Sequence, residues 1–314
     1  MKILHPQRRL PIMQADLTAE LPQSQRDRLK HIELRLRFLG EVRRPDLMQR
    51  FGIQSAAASR DLALYKELAP ENVDYESRGK RYLLGAGFSP LFAVPSAQVL
   101  GWLTEQLSDA TAPSSEALLP CLMPSRLSYP RLDTLACITR AIHMGQVLSI
   151  DYHSVSSGES SREIVPFALL DTGLRWHVRA FDRKSQTFRD FVLTRISKPT
   201  PKLGDEAARH ELPEQDVQWT RIVELDLVPH PDQPHPEVTL MDYDMSDGVL
   251  RLKLRAALAG YALRKWSVDC SPGHSLRGPE YRLWLKDHLA LYGVETAVLA
   301  PGYPSSKAEA RSEE

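Results

Sequence analysis

Leu29, Ile32, Leu36 and Leu39 recur at helical spacing and stop at Gly40, which predicts an amphipathic helix ended by a glycine. Pro45 sits where a first-turn proline is tolerated and opens a short helix to Phe51. Gly52 breaks that helix, and a third helix follows to about Leu68, stopped near Pro70. Its Ala58, Leu62 and Tyr65 fall at i, i+4 and i+7, so one stripe faces a core. Residues 72–84 read as two short strands around Ser77-Arg78-Gly79-Lys80, flanked by Tyr75 and Tyr82. Three helices followed by a basic hairpin predict a winged helix-turn-helix.

Beyond it, residues 88–95 form an apolar linker with two prolines, and a helix is expected from about 96 to 107. Residues 109–130 hold four prolines and several serines and read as a connector. A helix over 133–146 is followed by strand-like runs at 147–154, 163–170, 174–182 and 187–196, the pattern of a small, strongly bent sheet or barrel. Residues 197–220 read as a polar connector. Strands near 222–228, 249–255 and 281–286 and a helix near 256–265 complete a mixed C-terminal part. Residues 1–23 carry little periodic signal beyond a short helix or mobile arm near 13–20, and 301–314 read as a disordered tail. The expected division is 1–95 for DNA binding, 96–130 as helical linker, 131–203 as a ligand-sensing domain, 204–300 as a C-terminal extension, and 301–314 as tail.

Composition adds bounds. A chain of 314 residues with 42% hydrophobic and 25% charged residues is globular and long enough for two or three domains. No apolar run approaches a membrane span, and the first ten residues lack a secretory signal core, so a cytoplasmic protein is expected. Cys121, Cys137 and Cys270 are too scattered for a disulfide frame or zinc site. The net charge is zero but unevenly spread: residues 1–95 hold 16 Lys and Arg against 11 Asp and Glu, and residues 204–314 hold 12 against 19. A basic N-terminal block suits contact with phosphate.

The third helix opposes its apolar stripe with short hydrogen-bonding groups and one guanidinium: Gln54, Ser55, Ser59 and Arg60. A helix entering a major groove needs such a face, because bases present donors and acceptors at their edges. Ala56 and Ala57 are candidates for thymine methyls, and Arg78, Lys80 and Arg81 on the wing for phosphate. A second constellation lies in the strands of 147–196. Tyr152, His153, Ser154, Arg162, Trp176, His177, Arg179, Arg189 and Arg195 bring donors and charge to one compact sheet, and so make a candidate anion pocket. Strand alternation places Arg175, His177 and Arg179 on one face, and Arg189 and Arg195 on one face of theirs.

Trp176-His177-Val178 stands where WYL domains carry their name-giving Trp-Tyr-Leu. The surrounding frame also fits: Ile150-x-Tyr152, then Arg162 and Pro166, then Ala180-Phe181-Asp182, then Phe191-x-Leu193-x-Arg195-Ile196. Together with Ser59-Arg60-Asp61-Leu62, Tyr65, Pro70-Glu71-Asn72 and Phe88-Ser89-Pro90, the chain resembles the BrxR and CapW group of WYL transcription regulators from bacterial anti-phage systems. The resemblance spans about residues 24–300. It implies a mixed α/β multidomain protein with an N-terminal winged helix-turn-helix, a central Sm-like β-barrel WYL domain and a C-terminal α+β extension. It further implies a homodimer on an inverted-repeat operator, repression of a defence operon, and relief by a nucleotide or nucleic-acid effector at the WYL domain.

An enzyme is not expected. Adjacent His153 and Ser154 point to opposite faces of a strand, no nucleophile elbow surrounds the serine, and no phosphate-binding glycine loop is present. The acidic run 240–245 lacks calcium-loop spacing and reads as a solvated turn, and no cofactor is implied. The reading from a different class is a non-catalytic nucleic-acid-binding accessory of a nuclease or helicase system. Preference for single strands without a defined site would distinguish it.

Overall fold

Leu29, Ile32 and Leu36 are fully buried on α1 (Gln23–Leu39), whose last turn closes when Gly40, at φ 79°, donates its N–H to the Leu36 carbonyl. The computed structural model describes residues 18–104, 119 and 126–304 and contains two units, divided between residues 123 and 124. In the first unit, β1 (Glu41–Val42) leads to α2 (Arg44–Phe51), where Pro45 occupies the first turn and Asp46 accepts the Arg43 N–H at 2.6 Å. Gly52, at φ 63°, turns the chain into α3 (Ser55–Leu68). A 3₁₀ turn (Pro70–Asn72) precedes β2 (Val73–Glu76) and β3 (Arg81–Leu84), which join β1 in the sheet order β1-β3-β2. After the wing, Gly85 meets the 3₁₀ turn so closely that a Cβ would lie 2.2 Å from the Glu71 carbonyl oxygen. The chain then enters α4 (Ser96–Thr104). The helix expected to 107 is described only to Thr104; of the expected 13–20 helix, residues 18–20 form a turn and 13–17 lie outside the described residues, as does most of the tail at 301–314.

In the second unit α5 (Leu132–Met144) packs Ile138 and Ala141 on Leu148, Ile150, Ile164, Val178 and Ala180 of a five-stranded antiparallel sheet. Its strands are β4 (Gln146–Ser154), β5 (Gly158–Asp171), β6 (Trp176–Asp182), β7 (Thr187–Val192) and β8 (Ile196–Glu206), in the order β7-β6-β5-β4-β8. Register shifts within β4 and β5 mark the irregular points of the ladders. No pairing joins β7 to β8 among the described residues, so the sheet is open where a closed barrel was expected.

Residues 197–206, expected as part of a connector, belong to strand β8, paired with β4. Only Ile196 of that strand is buried, and Pro199 and Pro201 interrupt its pattern. The strand lies at a sheet edge, where proline is tolerated.

The remainder comprises α6 (Val217–Thr220), β9 (Ile222–Pro229), α7 (Pro236–Asp242), β10 (Leu250–Arg255), α8 (Ala256–Lys265) and β11 (Leu283–Leu285), with the strands ordered β10-β9-β11. Helix α7 takes in part of the acidic run expected as a turn. Two 3₁₀ segments follow, His288–Leu291 and Glu295–Leu299. Val223, Leu225, Leu227, Ala259 and Leu263 build the local core. Cys137 and Cys270 are buried free thiols, and Cys121 lies outside the described residues. Among the described residues no helix is long and apolar enough to cross a membrane.

His31 is buried in the first unit, edge-on to Phe51 at 5.4 Å and Trp102 at 5.8 Å. Burial, reinforced by Arg35 and Arg50, lowers its pKa from 6.5 to about 4. The unfolded chain therefore takes up this proton first. The contribution is complete above pH 6.5 and is lost as pH falls toward 4, at about 1.4 kcal/mol per unit at most. Denaturant unfolding between pH 7 and 4 is expected to show this loss in the wild type. His31→Phe is expected to remove that share, and an identical slope in the variant would contradict the assignment.

Candidate functional site

Helix α3 is gripped on one side and open on the other. Ala58, Leu62 and Tyr65 are buried, as the apolar stripe requires, and Asp61 lies buried beside them. Its carboxylate takes Arg28 Nε at 2.6 Å and Gln25 Nε2 at 3.1 Å from α1. One turn on, the Tyr65 hydroxyl donates to buried Glu33 at 3.0 Å. Glu33 also accepts the main-chain N–H groups of Leu91 and Phe92 at 2.8 and 3.0 Å. Desolvation raises its pKa, and these hydrogen bonds oppose the rise. Asn72 donates to the Tyr65 hydroxyl and to the Ser89 carbonyl, and accepts the Ser89 N–H at 2.8 Å. Helix α3 is thereby fixed to α1, to the start of the wing and to the chain leaving it.

The opposite face begins at the open N-terminus of α3. Gln54, Ser55, Ala56 and Arg60 are exposed, and Ala57 and Ser59 are half-buried. Gln54 makes no side-chain capping bond, so its amide is free to face a partner. On the wing, Arg78 and Lys80 are exposed and make no ion pair among the described residues. Arg81 differs from the expectation. Its guanidinium bonds Glu76 at 2.5 Å and Glu41 at 2.7 Å, bracing the hairpin against β1. Its charge is neutralised within the protein, which removes it from the phosphate-facing set.

The five-stranded sheet of the second unit shows the same matching of charge. Arg179 is 2% exposed and holds Asp216 through Nε and Nη2 at 2.5 and 3.0 Å, and Asp190 through Nη1 at 2.8 Å. Arg162 bonds Asp182, which is wholly buried, at 2.6 Å. These two arginines, expected as free anion donors, are occupied by carboxylates. Isolated buried guanidinium charge would be costly, so the fold supplies the counter-charge.

Arg189 is exposed and bonds only Thr187, at 3.2 Å. Arg195 is half-buried without an ion pair among the described residues. It does not share a strand face with Arg189, because residues 193–195 leave β7 as a 3₁₀ turn and the even-offset argument fails there. Tyr152 packs edge-on to Phe191, and its hydroxyl accepts the Val192 N–H at 3.3 Å. His153 reaches the Ser197 hydroxyl at 3.1 Å, and Ser154 bonds within its own turn. Trp176 lies under the Arg126 guanidinium at 5.5 Å. His177 is 7% exposed, and burial lowers its pKa against the pull of Asp190.

Glu33, Asn72, Asp190, Asp216 and Tyr261 went unnoticed as site-building residues. For Asp61 a signal existed: with Ala58, Leu62 and Tyr65 it completes an i, i+3, i+4, i+7 stripe, so a charge there had to find a partner. For Asp216 the signal was weaker. It is an N-cap residue, accepting the Gln218 and Trp219 N–H groups at 3.0 and 3.2 Å.

Three family models match the chain: the BrxR transcriptional regulator winged helix-turn-helix domain over residues 24–105, the WYL domain over 133–201, and the BrxR transcriptional regulator C-terminal dimerization domain over 222–291. The DNA-binding transcriptional repressor CapW of Stenotrophomonas maltophilia is 31% identical over 277 residues, 82% of this chain and 88% of that protein. CapW of Pseudomonas aeruginosa is 34% identical over 259 residues, 78% and 83% of the two chains. The proteasome accessory factor PafBC of Arthrobacter aurescens aligns with 82% of this chain but only 47% of its own length, at 19% identity and a TM-score of 0.25, too low to carry an argument.

Arg179→Met leaves Asp190 and Asp216 buried without their counter-charge, and a loss of about 3–5 kcal/mol is expected in denaturant unfolding. Arg189→Ala, at an exposed guanidinium, is expected to stay within about 0.5 kcal/mol of wild type. Comparable losses in the two variants would refute this division of roles.

Proposed function

The chain belongs to the BrxR and CapW family of transcriptional repressors, and we propose that it is a homodimeric repressor of a phage-defence operon whose grip on DNA is altered by an anionic effector. The observation that carries the DNA-binding part is the two-sided character of α3. Asp61, Leu62 and Tyr65 fix one side, while Gln54, Ser55, Ala57, Ser59 and Arg60 present a small, polar and cationic surface on the other. In this reading Gln54, Ser55 and Arg60 read base edges in the major groove, and Arg78 and Lys80 contact phosphate. One such helix reads too few bases for a unique genomic site, so two copies on an inverted repeat are required.

The proposed functional division is DNA binding within residues 1–95, a linker over 96–130, sensing over 131–203, dimerisation over 204–300 and a tail over 301–314; matches to the winged-helix model over 24–105, the WYL model over 133–201 and the dimerization model over 222–291 support its three main parts. The strand order β7-β6-β5-β4-β8 supports the Sm-like architecture, with β7 and β8 as the edges that would close it. For the sensor, the free cations Arg189 and Arg195 are the proposed anion donors, and Tyr152, His153, Ser154 and His177 of the same sheet are the proposed hydrogen-bonding groups. Arg162, Arg179 and Trp176 support that surface rather than face the ligand. A phosphate-bearing nucleotide or short nucleic acid fits this chemistry.

Binding to DNA from upstream of the chain's own operon tests the first part. Arg60→Ala is expected to weaken specific binding by roughly 1–3 kcal/mol, whereas Lys80→Ala weakens all sequences alike and lowers the salt slope by about 1. Unchanged affinity after joint replacement of Gln54, Ser55 and Arg60 by alanine would sink the assignment. For the second part, a reporter of the operon is expected to be derepressed on phage challenge in the wild type and to lose this response in Arg189→Ala and Arg195→Ala. The same variants still bind operator.

A further inference from the structure

Tyr261 belongs to α8, outside the sensor sheet, yet its hydroxyl donates to Asp190 of β7 at 3.1 Å. The other Asp190 oxygen takes Arg179 from β6, and the same guanidinium holds Asp216 at the start of α6. One cation and two carboxylates thus tie β6, β7, α6 and α8 into a single buried network. The net charge of the three ionised groups is negative, so an added donor on Asp190 is favourable, and Tyr261 supplies it. Burial, then Asp190, pushes the Tyr261 phenol pKa far up, which keeps it a donor at any working pH.

The Tyr261 ring also lies 5.4 Å from the ring of His177, tilted by 46°. His177 is more than nine-tenths buried; among the described residues its Nδ1 makes no hydrogen bond of good geometry, and the Arg175 backbone acts on the ring as a weak partner. A buried polar atom so poorly satisfied is costly in a folded core, and here it sits at the junction between the five-stranded sheet and α8. Arg175 and Arg195 are close enough to act on the His177 charge.

On the far side, α8 has no slack. The residue before Tyr261 is Gly260, where a Cβ would fall 1.7 Å from the Thr296 carbonyl oxygen. The Gly260 N–H donates to the Thr296 hydroxyl at 3.1 Å, which in turn donates to the Ala256 carbonyl at 3.0 Å. A shift of α8 must therefore carry the Glu295–Leu299 segment with it. That segment and its neighbour expose Leu289, Tyr292 and Val298, which are 64%, 77% and 69% accessible. Apolar exposure of this size suits an interface between copies.

We propose that Tyr261 is a positioning residue that couples the sensor sheet to the dimerisation domain, its bond to Asp190 marking the operator-binding state and an effector group at His177 Nδ1 competing with that arrangement. The proposal rests on the sensor reading given above only for the effector. The coupling itself is testable without one. In the full chain, Tyr261→Phe removes the bond at nearly constant shape. It is expected to weaken binding to a two-fold operator about tenfold and to weaken the dimer in sedimentation, while leaving affinity for a single half-site unchanged. Replacing Tyr261 by 4-aminophenylalanine, which keeps the ring and a donor at the same reach, is expected to restore binding. Tyr261→Phe is also expected to raise reporter expression without phage.

Operator affinity and dimerisation within twofold of wild type in Tyr261→Phe would overturn the coupling, whatever the sensor does. If Tyr261→Phe folds poorly, the 4-aminophenylalanine replacement decides: failure to keep full-site binding also overturns it. A shifted Tyr261→Phe together with a wild-type reporter indifferent to phage would leave the coupling standing and remove the sensor reading.

Discussion

A charged group taken out of water must meet its counter-charge where it lies, and both halves of this chain are organised around that constraint. Asp61 meets Arg28, Arg162 meets Asp182, and Arg179 meets Asp190 and Asp216. Each pair joins different elements, consecutive strands for Arg162–Asp182 and Arg179–Asp190 and elements more than 30 residues apart for Arg28–Asp61 and Arg179–Asp216, so satisfying the charge also fixes the geometry. In the first unit the result is a recognition helix that cannot roll, because rolling would strand Asp61 and break the Glu33–Tyr65–Asn72 hydrogen bonds.

The same constraint sorts the cations by role. Those matched inside the protein hold the fold: Arg28, Arg81, Arg162, Arg179. Those left exposed or unpaired are available to a partner: Arg60, Arg78 and Lys80 on the winged helix, Arg189 and Arg195 on the sensor sheet. Counting basic residues would have pooled the two groups. The surface of the five-stranded sheet that emerges is less cationic than its composition implies, and His177 is buried in it at 7% exposure, with burial holding its pKa down.

The second unit extends the constraint across domain boundaries that the family models draw. Asp190 lies in the segment matched by the WYL model, and Tyr261 in the segment matched by the dimerization model. Asp216 falls between them. Chemistry assigned to a sensor and packing assigned to a dimerisation domain therefore share one hydrogen-bonded network.

The local elements were legible from the chain alone. Helical spacing, Gly40 and Gly52, Pro45 and the Ser77–Lys80 turn define the winged helix, because periodicity and backbone restrictions act over a few residues. Strand β8 was hidden, since Pro199 and Pro201 mimic a loop and only its place at a sheet edge makes them tolerable. The exposed face of α3 was legible for the same local reason as its stripe. Which arginines are free was not, because Asp182 and Asp190 reach their partners only once neighbouring strands have paired in register, and Glu41 and Asp216 only after elements far apart in sequence have packed. Pairing is a property of distance in space, and a sequence records distance along the chain.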